Sequence, residues 1–328
     1  MQQHFKIVGT GHYRPATVVS VEEMDRRLNK PRGWTRVHAG GGERRECLPR
    51  ETLAGMARRA IERALQDANV TWPEVDALID CSTCRQQPIP CNASLVQAEF
   101  GDAANGIPCF DIQSTCLGFI LALQVANGLL AAGSHRRIVL VASEASLSGV
   151  NWREPESASL MSDGAAAAIV ERHSSPQRLH FAHETYAEHA DVCEVLGGGH
   201  KLSPFDYCPD LDDKFRFHMD GPRLFRIARR LLPPMVQAIF NSSAFQKEDV
   251  FVIPHQASPR AVEKIRRVLG IAPSHYADRV SEFGNMIAAS IPMILDLYRR
   301  DGRIKEGDPV MLLGTSAGYS QAAMVFKL

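Results

Sequence analysis

The sequence predicts an α/β protein that is made of two similar halves. Short apolar runs typical of buried strands alternate with longer segments in which apolar residues recur at helical spacing. The motif PEVDALIDCS around Asp76 returns as KEDVFVIPHQ around Asp249, an offset of 249 − 76 = 173 in numbering, and IVLVAS at 138 returns as VMLLGTS at 310, an offset of 310 − 138 = 172. Because the offsets agree, they indicate an internal duplication of about half the chain, which is too long a period for a solenoid.

The composition is that of a globular protein. With 328 residues and a hydrophobic fraction of 45%, the chain can fill a substantial core. Lys plus Arg equals Asp plus Glu, at 37 each, so the net charge does not favour binding to nucleic acid or to an anionic membrane. No apolar run approaches the roughly 18 residues of a membrane span, and the first residues lack the features of a signal peptide. We expect a cytoplasmic protein.

The first predicted half comprises residues 1–172. Its first helix carries apolar residues at helical spacing, among them Leu53, Met56 and Ala60. In order, the predicted elements are the strand FKIVGTG at 5–11, the helix at 51–69, the strand ALIDCS at 77–82, the helix ASLVQAEF at 93–100, the strand IPCFDIQ at 107–113, a long helix that begins beside Cys116, the strand RIVLVAS at 137–143 and the strand GAAAAIVER at 164–172.

The second predicted half comprises residues 173–328 and repeats that order. Its opening, at 173–225, is polar and includes GGGHKLSPFDYCPD, so we expect irregular structure and an insertion loop there. The strand DVFVIP then leads to a helix after HQAS, a helix of small residues follows Asn285, and VMLLGTS forms the counterpart of IVLVAS. Two such units are expected to pack together.

Cys116 lies where a strand ends and a helix of small and apolar residues begins, in DIQSTCLGFILALQVANGLLAAG. Free backbone N–H groups and the helix dipole favour a thiolate at such a position, so this thiol is expected to be a better nucleophile than an ordinary cysteine. A lone cysteine is more often a small buried residue. Two segments that are distant in the sequence, around His255 and Asn285, favour a chemical role for Cys116.

His255 and Asn285 are the other polar residues of the predicted site. His255 follows the strand FVIP in FVIPHQAS, and Asn285 lies in EFGNMIAASIP, at an offset of 285 − 116 = 169 from Cys116. The ends of strands and the starts of helices are where open α/β sheets expose reactive groups. We therefore predict that the sulfur, the imidazole and the carboxamide form one site.

These three motifs, in this order and with these gaps, resemble the β-ketoacyl-acyl carrier protein synthase III family of the thiolase superfamily. Cys116 stands at the family's acyl-accepting cysteine, PHQAS matches its histidine motif, and GNMIAASIP matches its asparagine motif. The resemblance covers essentially the whole chain. It implies a thiolase-like, five-layered αβαβα fold made of two duplicated halves, with both active-site helices in the middle, and it implies a homodimer.

The resemblance also implies the chemistry. Cys116 would accept an acyl group from a thioester, and a decarboxylative Claisen condensation with a malonyl thioester would then give a β-ketoacyl product. His255 and Asn285 would stabilise the enolate, and backbone N–H groups of Cys116 and Thr315 would form an oxyanion hole. Two alternatives stay open: an acyltransferase that passes the acyl group to an oxygen, nitrogen or sulfur nucleophile without decarboxylation, and a non-catalytic partner subunit.

Substrates and partners are implied in the same way. Acyl-CoA, malonyl-CoA or malonyl-acyl carrier protein would be substrates, with no resident cofactor and no metal. Trp34 and Arg36 match the region that holds coenzyme A, and Ile89 matches the segment that reaches a partner subunit's acyl pocket. Arg226 and Arg260 match basic positions that meet the acidic acyl carrier protein; a solvated basic face is the other interpretation.

The chain departs from the family pattern in several places. Met286 and Ile287 replace the residues usual after the asparagine, GTSAGYS replaces a glycine-rich Phe-Thr-Trp turn, and GGGERRE replaces GIRERH. From these changes we expect a specialised acyl pocket and a role in secondary metabolism. Cys81 and Cys84 form a C-x-x-C pair, but no second pair exists to complete a zinc site, so we expect core or loop residues.

Overall fold

The computed structural model describes residues 1–242 and 245–328. Within these two ranges, no helix is both long and apolar enough to cross a membrane. The strands are β1 Gln2–Tyr13, β2 Thr17–Val19, β3 Arg44–Glu46, β4 Ala77–Asp80, β5 Cys109–Asp111, β6 Arg137–Glu144, β7 Gly164–Arg178, β8 His180–Thr185, β9 Cys193–Glu194, β10 His218–Met219, β11 Phe251–Pro254, β12 Pro309–Ser316 and β13 Ser320–Lys327. The helices are α1 Val21–Arg27, α2 Trp34–Ala39, α3 Leu53–Ala68, α4 Asn92–Ala98, α5 Gly118–Ala131, α6 Pro155–Ala158, α7 Gly221–Ser242, α8 Pro259–Leu269, α9 Val280–Phe283 and α10 Ser290–Arg300.

The first sheet has the strand order β1, β7, β6, β4, β5. β1 and β6 both run antiparallel to β7, whereas β6, β4 and β5 are mutually parallel. β6 is buried along its whole length, which explains its nearly continuous apolar sequence. Because β4, β5 and β6 are parallel, the loops that follow them leave from the same edge of the sheet.

The second sheet repeats this order. It runs β11, β12, β13, β8, with β11 parallel to β12 and the other pairs antiparallel. The place that β5 occupies beside β4 is taken by a single parallel bridge between Val252 of β11 and Tyr276. The match between the two strand orders confirms the predicted duplication.

Helices separate and cover the two sheets, which gives five layers. α5 lies between the sheets and contacts β1, β6 and β13, and α10 contacts β1, β7 and β11. α3 and α4 cover the outer face of the first sheet, while α7 and α8 pack together against the outer face of the second. This αβαβα arrangement is the predicted fold class.

The sequence of each helix follows from its layer. α3 is amphipathic and buries Met56, Ala60 and other apolar residues on one side, whereas α5 is mostly apolar because it packs between two sheets. Gly118, the first residue of α5, lies so close to the first sheet that a Cβ atom there would be 2.2 Å from the carbonyl oxygen of Cys81. The small residues predicted in the central layer therefore allow α5 to lie close to the first sheet.

The segment 173–225 contains more regular structure than the sequence predicts. β7 continues to Arg178, and β8 forms one edge of the second sheet. The expectation of irregular structure is wrong for this part, because the polar residues of an edge strand, among them His183 and Glu184, hide its apolar periodicity. Beyond Thr185 the chain has only 3-10 turns and the two-residue strands β9 and β10 before α7 begins. The division of the chain at 172/173 stays a prediction.

Candidate active site

Cys116 lies in the turn that joins β5 to α5. Thr115 has left-handed backbone, with a φ of 46°, and the 3-10 turn Thr115–Leu117 passes directly into α5. Left-handed backbone is uncommon for threonine and costs energy, so the surroundings must hold this residue in place. The turn presents Cys116 at the amino end of a central helix, as predicted.

The second half builds the same turn around Ala288. Ile287 has a φ of 45° and opens a 3-10 turn that passes into α10. This turn corresponds to the one at Thr115, at an offset of 287 − 115 = 172 in numbering, and the two turns contact each other. The structural counterpart of Cys116 is therefore Ala288. The sequence pairing of Cys116 with Asn285, at an offset of 169, is out of register by three residues.

Cys116, His255 and Asn285 all line one cavity of about 680 Å³. They come from the turn before α5, the loop after β11 and the turn before α10. The structure brings the three side chains together, while their catalytic roles stay predictions. Much of the remaining wall is apolar and comes from the second half, including Phe217, Met219, Leu224, Phe225, Ala261 and Val262.

His255 is fixed by the strand that precedes it. Its backbone N–H donates to the carbonyl of Leu313 at 2.7 Å, and its carbonyl accepts from the N–H of Ala257 at 3.0 Å. Burial lowers the pKa of the imidazole to about 4, so the ring is neutral at pH 7. Among the described residues, Nδ1 has no hydrogen-bond partner. A neutral ring of this kind carries one N–H donor and one lone pair.

Asn285 is held by the first half of the chain. Its backbone N–H donates to Leu160 at 2.8 Å, and its carbonyl accepts from the N–H of Ser162 at 3.0 Å. The side-chain Oδ1 accepts from the N–H of Ile287 at 2.9 Å, which orients the amide. Nδ2 donates to the carbonyl of Ala257 only at the long distance of 3.4 Å, so the NH2 group keeps donor capacity for a ligand.

Burial dominates the electrostatics of the Cys116 thiol. It raises the pKa to about 12, and the nearby carboxyl of Glu144 acts in the same direction. The backbone N–H groups of Cys116 and Ala317 lower the pKa, as expected at a helix start, but they do not offset the burial. The expectation of an easily ionised thiol is therefore wrong, and the sulfur carries its proton at pH 7.

Glu144, at the end of β6, is a buried carboxyl that the sequence analysis missed. Oε1 accepts from the N–H groups of Thr83 at 2.8 Å and Ala288 at 3.3 Å, and Oε2 accepts from the N–H of Cys84 at 2.9 Å. Burial raises the pKa to about 7, although these donors act to lower it. Glu144 therefore ties a loop of the first half to the helix start of the second. The one feature of the sequence that could have indicated this residue is that Glu144 ends the apolar run IVLVASE.

The predicted oxyanion donors are the backbone N–H groups of Cys116 and Thr315. Thr315 lies in the cavity wall and is paired with Gln321 in the β12–β13 ladder. The backbone N–H groups of Cys116 and of Ala317, two residues beyond Thr315, both act to lower the pKa of the Cys116 thiol. The role of Cys116 and Thr315 as oxyanion donors stays a prediction.

Trp34 and Arg36 lie on α2, and neither is part of the cavity wall. The indole of Trp34 stacks on the imidazole of His38, with ring centroids 4.0 Å apart, and the Lys30 ammonium lies 5.6 Å from the indole centroid. Arg36 is exposed. A flat ring beside the ammonium group of Lys30 suits a nucleotide, and the predicted contact with coenzyme A stays a prediction.

The other predicted binding residues are on the surface. Ile89 is 84% exposed in the loop before α4. Arg226 directly follows Phe225 on α7, and Arg260 directly precedes Ala261 on α8; both arginines are exposed, whereas both neighbours line the cavity. Because α7 and α8 pack together, the arginines lie on the outer surface of the helices that cover the cavity. Their predicted role in carrier docking is not decided by this placement.

The C-x-x-C pair is divided between the core and the site. The thiol of Cys81 is buried and donates to the carbonyl of Val141 at 3.1 Å, and Cys84 lines the cavity. In the part of the chain that the structure describes, no three His, Cys, Asp or Glu side chains are grouped as metal ligands. Cys81 is thus a core residue and Cys84 a residue of the site.

Comparison with known proteins places both halves in one family. Residues 110–187 match the family described as 3-Oxoacyl-[acyl-carrier-protein (ACP)] synthase III, and residues 240–328 match the C-terminal part of the same enzymes. The motif of Cys116 falls in the first match, and the motifs of His255 and Asn285 fall in the second.

Similar proteins extend over nearly the whole chain. The β-ketoacyl-[acyl-carrier-protein] synthase III of Rickettsia bellii is 28% identical over 325 residues, which are 98% of this chain and 99% of the relative. A crystal structure of 3-oxoacyl-[acyl-carrier-protein] synthase III from Aquifex aeolicus VF5 is 26% identical, with a TM-score of 0.88, and covers 99% of this chain and 100% of that one. The priming β-ketosynthase of the R1128 polyketide pathway is 25% identical, also with a TM-score of 0.88, over 100% and 97% of the two chains.

These similarities agree with the duplicated five-layered fold and with a cysteine at the start of the central helix. The chain belongs to the β-ketoacyl-acyl carrier protein synthase III family of the thiolase superfamily, and it is a condensing enzyme of the acyltransferase class.

Proposed function

We propose that the chain loads an acyl group onto Cys116 and then joins it to a malonyl thioester by decarboxylative Claisen condensation. The observation that carries the proposal is that a thiol, a neutral imidazole and an amide NH2 group line one cavity. The relatives named β-ketoacyl-[acyl-carrier-protein] synthase III support the same reaction. No resident cofactor is needed, because the thioesters supply all the reacting carbon.

The first step is transfer of the acyl group. The Cys116 sulfur attacks the thioester carbonyl, a new carbon–sulfur bond forms, the donor thiol leaves, and the proton of Cys116 ends on that thiol. The negative oxygen of the intermediate accepts from the N–H groups of Cys116 and Thr315, the donors predicted from the sequence. Because burial keeps Cys116 protonated, a base must take its proton, and the neutral ring of His255 has a lone pair for this.

The second step is condensation. Loss of carbon dioxide from the malonyl thioester leaves an enolate, whose oxygen accepts from the imidazole N–H of His255 and from Nδ2 of Asn285. The enolate carbon attacks the acyl carbonyl, and the sulfur of Cys116 leaves as the β-ketoacyl product forms. The low pKa of His255 means that the ring is neutral at pH 7, and a neutral imidazole still has one N–H with which to donate to this oxygen.

The proposed substrates are acyl-CoA together with malonyl-CoA or malonyl-acyl carrier protein. The exposed Arg226 and Arg260 suit an acidic carrier protein, and Trp34 with the neighbouring Lys30 ammonium suits coenzyme A. The likeness to a polyketide priming ketosynthase supports a role in secondary metabolism, and the synthase III relatives support fatty acid biosynthesis. β5 is an edge strand, and Ile89 is exposed in the loop before α4, the helix that contacts β5, which supports a homodimer formed through this edge.

Intact-protein mass spectrometry tests the first step. Wild type and Cys116→Ser are incubated with a panel of acyl-CoA thioesters, and we expect an acyl adduct on the wild type that is absent from the variant. An adduct that persists in Cys116→Ser, or a wild type that no thioester modifies, would contradict the proposal and would favour the non-catalytic subunit.

Carbon dioxide release tests the second step. With malonyl-acyl carrier protein labelled at the free carboxyl, His255→Ala and Asn285→Ala should each lose about 10²-fold or more of the release, as enzymes do when an oxyanion donor is removed. Acylation of Asn285→Ala serves as the control and should persist. A product that lacks the two added carbons would instead identify the non-decarboxylating acyltransferase.

A further inference from the structure

The carboxyl of Glu144 is a buried titratable group that the proposed chemistry does not use. Backbone N–H groups from two distant segments converge on it: those of Thr83 at 2.8 Å and Cys84 at 2.9 Å in the loop after β4, and that of Ala288 at 3.3 Å in the turn before α10. Burial of a carboxyl costs free energy, and it raises the pKa of Glu144 to about 7. A carboxyl in such a place requires an explanation.

The duplication shows what is special about this position. The counterpart of Glu144 in the second half is Ser316, at an offset of 316 − 144 = 172 in numbering. The turn of Cys116 contacts β12, which ends in Ser316, and the turn of Ala288 contacts β6, which ends in Glu144. Ser316 and Cys116 line the cavity, whereas the N–H of Ala288 donates to the Glu144 carboxyl. One helix start therefore adjoins the cavity, and a carboxyl covers the other.

The turn that Glu144 holds also orients part of the proposed enolate site. Oδ1 of Asn285 accepts from the N–H of Ile287 at 2.9 Å, so the direction of the carboxamide depends on where Ile287 lies. Ile287 has left-handed backbone, with a φ of 45°, which is strained for a β-branched residue and must be held by its surroundings. Ala288 is the next residue, so its bond to Glu144 restrains the strained turn.

The loop at the other end of this connection is itself anchored in the first half. The carbonyl of Cys84 accepts from Nδ2 of Asn92 at 2.7 Å, and the N–H of Asn92 donates to Asp111 at 2.9 Å. Thr83 and Cys84 both line the cavity. Glu144 therefore connects an anchored part of the cavity wall to the strained turn beside Asn285.

We propose that Glu144 is a positioning residue for the condensation step, because it holds the Ile287–Ala289 turn against the first half and so aligns the carboxamide of Asn285 with the enolate oxygen. This inference rests on the proposed function, and it separates the two steps. Acylation takes place on Cys116, at the other helix start. The carboxyl of Glu144 acts to raise the pKa of that thiol, so its removal should not slow acylation.

The experiment measures the two steps separately in the wild type, Glu144→Gln and Glu144→Ala. Acylation of Cys116 by an acyl-CoA is followed by intact mass. The acyl-enzyme is then freed of donor, and carbon dioxide release from labelled malonyl-acyl carrier protein is followed in a single turnover.

The release of carbon dioxide should fall about 10²-fold in Glu144→Ala, the effect of moving a catalytic group by about 1 Å. In Glu144→Gln it should fall by about tenfold, the size of one hydrogen bond, because the amide oxygen still accepts but the NH2 group must face one of the three N–H groups. Acylation should be unchanged or faster in both variants.

Asp80→Asn is the matched control. Asp80 ends β4, which is parallel to β6, and it is buried with its pKa likewise raised to about 7. Its carboxyl, however, accepts from the N–H and the hydroxyl of Ser82, within its own segment. The ratio of the two rates should therefore not change in Asp80→Asn. A parallel fall of both steps in the Glu144 variants, or an equal fall of carbon dioxide release in Asp80→Asn, would overturn the inference.

Hydrogen exchange gives a readout that does not depend on catalysis. The amides of Thr83, Cys84 and Ala288 should exchange faster in Glu144→Ala than in the wild type, and that of Ala288 should be unaffected in Asp80→Asn. Should Glu144→Ala fail to fold, Glu144→Gln decides. An active wild type with unchanged exchange at Ala288 in the variant would refute the role of Glu144. Faster exchange together with a wild type that releases no carbon dioxide would instead refute the proposed function, and the inference with it.

Discussion

At the scale of single residues, the state of Cys116 depends on two opposing effects. The position at a helix start supplies N–H groups that favour a thiolate, and burial between two sheets disfavours it. Burial is the larger effect, which the sequence could not indicate, because it depends on how deeply the turn lies in the assembled layers. The cysteine could be located from its motif, but its protonation could not.

The pH dependence of alkylation tests this balance. Because the pKa of Cys116 is raised to about 12, the thiolate fraction should increase about tenfold per pH unit from roughly pH 6 to 10 without a plateau. The rate at which iodoacetamide modifies Cys116 in the folded protein should follow this thiolate fraction. Mass spectrometry of the peptide that contains Cys116, after digestion, measures the rate. The exposed Cys208 in the same sample gives the comparison with a thiol on the surface. A plateau below pH 8 would show that the helix start controls the thiol.

The sequence did not reveal the residue that holds neighbouring segments of the site in place. Cys116, His255 and Asn285 stand in motifs that could be read directly. Glu144 could not be found in that way, because its contacts arise only when the loop after β4 folds against the end of β6. A buried carboxyl that accepts three backbone N–H groups is a property of the fold.

At the scale of elements, the contact between α5 and the first sheet determines where the sulfur lies. Gly118 allows the helix to approach the carbonyl of Cys81, and a side chain there would collide with backbone. The sequence predicted small residues in the central layer but not which of them is indispensable. That distinction requires the distance between helix and strand.

Two glycines of the same helix give a matched test. Gly118→Ala should destabilise the protein by roughly 1–3 kcal/mol, because the new Cβ atom would lie 2.2 Å from the carbonyl oxygen of Cys81. Gly128→Ala, where nothing lies within 4 Å, should stabilise the protein by roughly 0.5–1 kcal/mol, since alanine favours helix. Urea denaturation measures both. Equal effects of the two changes would show that α5 can move away from the sheet.

At the scale of the whole molecule, polar contacts join the two halves across the central layer. Asp296, on α10 of the second half, accepts from the Thr10 hydroxyl at 2.6 Å and contacts Nδ1 of His12 at 2.5 Å, and both residues lie on β1 of the first half. Burial alone would raise the pKa of Asp296, but hydrogen bonds from His12, Arg300 and Thr10 outweigh it and lower the pKa to about 2. The repetition of one half by the other could be anticipated from the duplicated motifs, whereas this contact between distant segments could not.

Removing that carboxylate should weaken the molecule in a pH-dependent way. A carboxyl whose pKa is lowered in the folded state contributes stability that is present above about pH 4 and is lost as the pH falls through about 2. Asp296→Asn should therefore cost roughly 2–4 kcal/mol at pH 7, and less near pH 2. Denaturation midpoints across pH measure the effect.

Asp301→Asn, at the exposed end of the same helix, is the control and should change stability by less than about 0.5 kcal/mol. A cost for Asp296→Asn that is the same at pH 2 and pH 7 would show that the contact is steric and not electrostatic.

The placement of the sulfur in the innermost layer limits which molecules can react with it. Since α7 and α8 supply much of the surrounding wall, the proposed acyl donors reach the sulfur past the side chains of these two helices. Under the proposed function, a thioester at the tip of a long and slender arm suits this path better than a bulky one.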